Sequence, residues 1–357
     1  MTDPRAKRLA GILTDYSIRI KKGDIIELSF GVEAKELALV CYKNILKKGA
    51  FPVVHVSVPG FGYTYYKLAT DEQLKAFPKI AMYETKVAAG SITIGTQHNT
   101  KELTNIYPGK MAMRSRAVKP VHDLAVKKNN WVYCEYPTNA LAQEAEMSLE
   151  EFEDFVYKAC LKNWKEEAKK QTKLQQMLNK AELVRIVGEN TDLTFSIKGR
   201  QGIKCCGTRN MPDGEVFVAP VETSTHGHIQ FSYPALKSGR EVDGIYLEFK
   251  KGAVVKAKAT KNEKFLKEMI NTDKGSRYLG EFGIGVNYDI KNFIKHILFD
   301  EKIGGTIHLA LGMAYPEGGG KNKSAIHWDM IKDLRRGGKL FIDGKLIQKN
   351  GKFTFKL

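Results

Sequence analysis

Apolar and polar positions follow two different textures along the chain. In the first half, short apolar runs are separated by segments with helical spacing. Residues 24–30 (DIIELSF) read as a buried strand and 51–58 (FPVVHVSV) as the next strand. Between them, over residues 32–46, Leu37, Val40, Cys41 and Ile45 fall on one helical face, and Gly49 is placed to stop that helix. A helix joining two strands of one sheet must cross over it, so the pattern predicts a parallel β-α-β unit. Further strands are predicted at 91–95 (SITIG) and 131–136 (WVYCEY), with helical stretches near 70–88 and 117–128. This alternation predicts the α/β class, with a doubly wound α/β N-terminal domain.

Ser148 and Glu151 form the S-x-x-E pattern of a capping box, and Phe152, Phe155, Val156 and Ala159 follow at the spacing of a core-facing stripe. The polar stretch 165–180 (KEEAKKQTKLQQMLNK) reads as a solvated helix leading to a connection. It places a domain boundary there, giving an N-terminal domain over 1–180 and a C-terminal domain over 181–357. Beyond it, strands are predicted at 183–187, 192–197, 215–218, 244–249 and 253–259, separated by turn residues at Asn190, Lys198-Gly199 and Lys251-Gly252. Asp343-Gly344 and Asn350-Gly351 are hairpin-turn dipeptides. The second domain is therefore expected to be β-rich and mainly antiparallel.

Composition narrows the setting. The chain has 357 residues, 43% hydrophobic and 27% charged, an ordinary globular balance. No apolar run reaches the ~20 residues of a membrane helix, and the N-terminal stretch lacks the apolar core of a signal peptide. The five cysteines are odd in number and scattered, with no C-x-x-C pair, so neither a disulfide framework nor a zinc ribbon is indicated and a reducing cytoplasm is expected. The net charge of +17 raises nucleic-acid binding as a rival function. The basic residues are spread along the whole chain with no finger, RNP1-like run or dense arginine block, so the expectation is a lysine-rich surface with no nucleic-acid or membrane partner. A dinucleotide role is not supported either, because the turn after the first strand, residues 29–33 (SFGVE), holds a single glycine. His55, in an apolar strand, is expected to be a core or packing residue.

The chemistry concentrates in residues 304–329 (GGTIHLALGMAYPEGGGKNKSAIHWD). In a strand here, His308 shares a face with Thr306 and Ala310, while Ile307, Leu309 and Leu311 take the other. Tyr315 follows in a loop rich in proline and glycine. His327 and Asp329 point to one side of an extended chain with Trp328 opposite. Such an H-x-D pair either binds a cation through nitrogen and oxygen or forms a plain His–Asp hydrogen bond. Two upstream acids change the balance: Glu215 in MPDGEVFVAP and Glu281 in RYLGEFGIGVN. A carboxylate in an apolar strand is costly unless paired or metal-bound. Three carboxylates and two imidazoles suit two divalent cations with a water between them, a hydrolytic arrangement.

These segments resemble the thermophilic-type metalloaminopeptidases, the aminopeptidase T, aminopeptidase S and PepS family, which includes leucyl aminopeptidases. The glutamate of the family's E-V-F motif falls on Glu215, and that of its G-E-x-x-[IL]-G segment on Glu281. The histidine of G-x-x-H-[LI]-A-L-G falls on His308, the tyrosine of the following Y-P on Tyr315, and the H-W-D pair on His327 and Asp329. The separations of Glu215 from Glu281 and of His308 from Tyr315 are similar to the family's. The loop from Tyr315 to His327 is shorter than in its longer members. Residues 13–24 and 136–160 also resemble the family, so the likeness covers most of the chain. It implies an exopeptidase acting on peptides with a free N-terminus, a cytoplasmic homodimer with an enclosed chamber. It also implies two divalent metal ions, zinc or cobalt, with manganese and magnesium as alternatives. Glu215, Glu281, His308, Tyr315, His327 and Asp329 would be the metal ligands. Glu281 or Glu215 would take a proton, and Tyr315 would act as a ligand or as an oxyanion stabiliser. The rival on the same fold is a ring-cleaving dioxygenase with one iron on a His/His/Asp set, but the presence of both glutamates favours two metals.

Three other signals are set aside. Gly318-Gly319-Gly320-Lys321 fails the P-loop pattern at Tyr315 and Asn322, and reads as a flexible pocket loop. His226-Gly227-His228 is expected to be a surface turn. Cys205 and Cys206 are expected to be buried small apolar residues.

Overall fold

Five parallel strands make up the sheet of the first unit in the computed structural model, which describes residues 3–237 and 239–357. Their order is Phe51–Ser57, Ile25–Gly31, Gly90–Gly95, Trp131–Glu135, Asn210–Met211, and every neighbouring pair is parallel. Ile26, Leu28, Ile92, Ile94, Val132 and Cys134 are buried along the three central strands. The helix Lys35–Lys47 buries Leu37, Ala38, Cys41 and Ile45, the face set by its apolar spacing. The Ser148 capping box forms, with Glu151 N donating to Ser148 Oγ (3.2 Å) and Ser148 N donating to Glu151 Oε2 (2.8 Å). The class is α/β, as the sequence indicates.

The strand Phe51–Ser57 forms where its apolar run predicts one. It is an edge strand, and most of its residues are exposed rather than buried. His55 is accordingly not a core residue: its side chain is 46% exposed and lies 3.4 Å from Glu84. An apolar run reports β propensity, but only the number of sheet neighbours decides burial.

The chain divides into one unit of residues 1–162 and 207–212 and another of 163–206 and 213–357. The helix Trp164–Lys180, which the sequence places at the end of the N-terminal domain, belongs to the second unit. Its polar look hides Leu174 and Leu178, which share one face at i, i+4 and lie in the second unit's core. The strand Asn210–Met211 is returned to the first unit as its fifth strand.

The second unit holds an eight-stranded antiparallel sheet and a five-stranded antiparallel sheet. Both contribute apolar faces to one core, where Val184, Ile186, Phe195 and Leu247 of the larger sheet join Val216, Phe282, Ile307 and Trp328 of the smaller. The rings of Phe195 and Phe282 meet edge-to-face at 5.1 Å. The Asp343-Gly344 and Asn350-Gly351 pairs have positive φ at both residues, as tight hairpins of the predicted kind require. His226–Gln230 is a strand of the larger sheet and not a surface turn. Gly227 passes so close to its neighbour that a Cβ would lie 2.1 Å from the Asp192 carbonyl oxygen.

Candidate metal centre

The smaller sheet runs His327–Asp333, Thr306–Gly312, Leu279–Gly285, Glu215–Val218, Ile203–Cys205. Its strands alternate with period two. Val216, Val218, Phe282, Ile284, Ile307, Leu309, Leu311, Trp328 and Met330 face the core. The opposite face carries Glu215, Glu281, His308, His327 and Asp329. Register brings these together across strands. Ala310 lies between Glu281 and Asp329, Gly283 is opposite His308, and Gly312 is opposite His327. Small residues at these three positions leave room for the larger side chains to converge above them. At Gly283 this is strict: a Cβ there would sit 2.0 Å from Cε1 and Nε2 of His308.

Three groups of donor atoms result among the described residues, one of them Cys205 with Asp213 and Glu215, and the other two hold the imidazoles. Glu281, His327 and Asp329 each offer one atom within 4.8 Å of the others, and so do Glu215, Glu301 and His308. The groups touch where His308 Nε2 lies 3.1 Å from Glu281 Oε1 and 3.0 Å from Glu215 Oε2. His327 Nδ1 donates to the Met313 carbonyl oxygen (2.8 Å), so Nε2, 3.5 Å from Asp329 Oδ2, is the nitrogen that would turn to a metal on losing its proton. Glu215 Oε2, His308 Nδ1 and Asp329 Oδ1 are buried without a hydrogen-bond partner. Buried orphan atoms of this kind are rare in a folded protein. Carboxylate oxygens and imidazole nitrogens facing one another at about 3 Å are the donor set of a divalent cation, so the residues fit metal ions. Tyr315 stands beside them, its ring 5.1 Å from His327 and 5.8 Å from Phe217.

Electrostatics separates the acids. Burial alone would raise Glu215, but Lys302 and His308 outweigh it and hold its carboxyl below the usual range. Glu281 is pushed up by burial, which outweighs His308. Burial also opposes ionisation of Asp329, yet His327 and other cations bring it down to about 2. Burial would lower His327, but Asp329 and Glu281 hold it up at about 10. The Tyr315 phenol is raised by burial and by Glu281 and Asp329, which places it in their field.

Glu301 and Lys302 join the centre without a motif that marks them in the sequence. They sit in the turn after the short helix Ile297–Asp300 and before the His308 strand. Lys302 is fully buried, its Nζ paired with Glu301 and 3.8 Å from Glu215 Oε1. The available signal was the triplet Asp300-Glu301-Lys302 wedged between an apolar segment and Gly304-Gly305, but charged turns are mostly solvated. Cys205 also proves to be more than apolar filler. It pairs across strands with Glu215, its Sγ falls within 4.8 Å of donor oxygens of Asp213 and Glu215, and burial raises its thiol.

The glycine-rich segment after Tyr315 is pinned at both shoulders. Gln201 N donates to the Gly318 carbonyl oxygen and Lys321 N to Glu222 Oε1, which Arg200 holds from the other side. Asn322 Nδ2 donates to the carbonyls of Gly275 and Gly312. Asp273 accepts from Ala325 N (2.7 Å), Ser324 Oγ (3.0 Å), Gly275 N (2.8 Å) and Ser276 Oγ (3.0 Å). This anchored loop replaces the flexible one expected. Asp273→Ala is expected to cost about 2 kcal/mol in thermal or urea unfolding and to lower metal occupancy at His327, two residues beyond Ala325. Unchanged metal content together with unchanged stability would rule out the anchoring role.

Comparison with known proteins identifies the fold and the family. Aminopeptidase PepS of Streptococcus thermophilus is 24% identical over 383 residues, covering 91% of each chain. The structure of wild-type AmpT from Thermus thermophilus superposes with a TM-score of 0.87 at 21% identity, covering 98% of this chain and 99% of that one. A 2,5-dihydroxypyridine dioxygenase from Pseudomonas putida KT2440 shares the fold at a TM-score of 0.65 and 12% identity, over 98% and 96% of the two chains. Fold therefore does not choose between the two chemistries. The family model described as thermophilic metalloprotease (M29) matches residues 2–353, and the chain belongs to that family.

Proposed function

We propose that this chain carries out its aminopeptidase reaction with two divalent cations, one held by Glu281, His327 and Asp329 and the other by Glu215 and His308 with Glu301 beside them. The observation that carries the reading is the pair of donor groups meeting at His308, with buried donor atoms left unpartnered in both. Family membership supports peptide hydrolysis, and the name of the Streptococcus thermophilus relative supports action at the N-terminus. Bound cations supply the positive charge that polarises a scissile carbonyl and acidifies a water. Glu281 or Glu215, whose carboxylates both reach His308 Nε2, takes the proton from that water. Tyr315, against His327 and Phe217 at the edge of the site, offers its phenol O–H as a hydrogen-bond donor to the oxyanion.

The cations are zinc or cobalt, with manganese and magnesium as alternatives. The nitrogen donors of His308 and His327 support the first pair. The cysteines are all free thiols, which supports a reducing cytoplasm. Phe51, Phe61, Leu68 and Ile80 are exposed, which supports a homodimer that covers them.

Chelation is expected to abolish hydrolysis of leucyl-anilide, and zinc, cobalt or manganese to restore it. A fully metallated protein that cleaves no free-N-terminus peptide across a broad panel would end the proposal. Tyr315→Phe is expected to keep both ions and lose about 10²-fold in kcat; loss of one ion would instead make Tyr315 a ligand.

A further inference from the structure

The second donor group already contains a cation. The Lys302 side chain is fully buried, with its ammonium against the Glu301 carboxylate and 3.8 Å from Glu215 Oε1. Asp213, also buried, acts on the same charge. An apolar side chain of similar volume would fill this space without the desolvation cost of an ammonium, so packing alone does not account for a lysine here.

Its backbone is held in place. Lys302 N donates to the Phe299 carbonyl oxygen (3.0 Å), and its own carbonyl accepts from Asn287 N (3.0 Å). The turn presses against Gly285, where a Cβ would lie 2.2 Å from the Ile303 carbonyl oxygen and 3.0 Å from the Lys302 carbonyl carbon. Gly285 is the cross-strand partner of Glu215. Lys302 is thus fixed relative to Glu215, and through Gly304-Gly305 relative to the His308 strand.

The two oxygens of Glu215 consequently face different cations. Oε1 faces the ammonium, while Oε2 lies 3.0 Å from His308 Nε2 with no hydrogen-bond partner. A carboxylate engaged on one side cannot close around a metal ion with both oxygens, which leaves a coordination position for water or substrate. Sites with an open position are the catalytic kind, whereas fully closed ones are structural. The ammonium also repels an incoming dication across a short, poorly screened distance.

We propose that Lys302 is a positioning residue of the metal centre: a permanent internal cation that aims Glu215 Oε2 toward His308 and holds the divalent-ion affinity of the Glu215–Glu301–His308 group below what its acids would otherwise give. The inference rests on the two-cation reading above. It is tested on the metal-free full chain by zinc titration against a chromophoric chelator near neutral pH. Lys302→Met is expected to tighten zinc binding at one site by roughly tenfold or more, and to lower kcat while leaving KM within about threefold. Lys302→Arg, which keeps the charge, is expected to stay within about threefold of the native zinc affinity. Should Lys302→Met fail to fold, Glu301→Gln and the double variant Glu301→Gln/Lys302→Met decide the matter. The double variant leaves no unpaired charge of this pair buried and is expected to bind zinc roughly tenfold more tightly than Glu301→Gln alone. Unchanged or weaker zinc binding on removal of the lysine, in whichever background folds, overturns the role of Lys302 alone. A native chain that binds no divalent ion overturns the metal reading with it.

Discussion

Glu281→Gln is expected to remove at least about 10³-fold of peptidase activity and to reduce bound divalent metal in both positions. Glu281 belongs to the first donor group and reaches the second through His308. Its carboxylate lies with His327 and Asp329, and its Oε1 is 3.1 Å from His308 Nε2. The amide is nearly isosteric, so the fold should survive, but it binds cations weakly and takes no proton. The register bulge next to Glu281, between Leu279 and Glu281, fixes which way its side chain points. Metal content by elemental analysis and hydrolysis of leucyl-anilide are the readouts. A variant that keeps both ions and more than about a tenth of native turnover would show that Glu281 is neither ligand nor base.

Gly283→Ala is expected to be nearly as damaging, although glycine carries no chemistry. The added Cβ would meet the His308 ring at 2.0 Å, and His308 is fully buried with no free direction to move. Displacing a ligand ring by about 1 Å costs on the order of 10²-fold in rate, and overpacking adds about 1–3 kcal/mol of destabilisation. Gly62→Ala is the control, since a Cβ there meets nothing within 4 Å; it should leave metal content and activity unchanged. Native activity in Gly283→Ala would mean that His308 is free to shift and is not held in a preorganised site.

Three departures from local pattern share one physical cause. Glu301 and Lys302 lie in a turn, where charge ordinarily meets water, and the packing of that turn against Gly285 accompanies the full burial of Lys302 and the partial burial of Glu301. The helix Trp164–Lys180 looks solvated because its apolar residues are few, yet Leu174 and Leu178 suffice to dock it in the second unit. The strand Phe51–Ser57 is apolar, but it lies at a sheet edge. In each case burial is a property of neighbours that arrive from elsewhere in the chain.

Local pattern determined more of the centre than it did of the domain boundaries. Alternation along a strand is dictated by backbone geometry, so the sequence alone puts Glu215, Glu281, His308, His327 and Asp329 on faces opposite the apolar residues between them. The larger separations are silent in sequence, because strand order and register are chosen by packing. Only the tertiary structure set Ala310 between Glu281 and Asp329, put Gly283 beneath His308, and divided the donors into two groups that meet at one imidazole. It also brought a buried lysine to the acids, where its ammonium joins the field that an incoming ion meets.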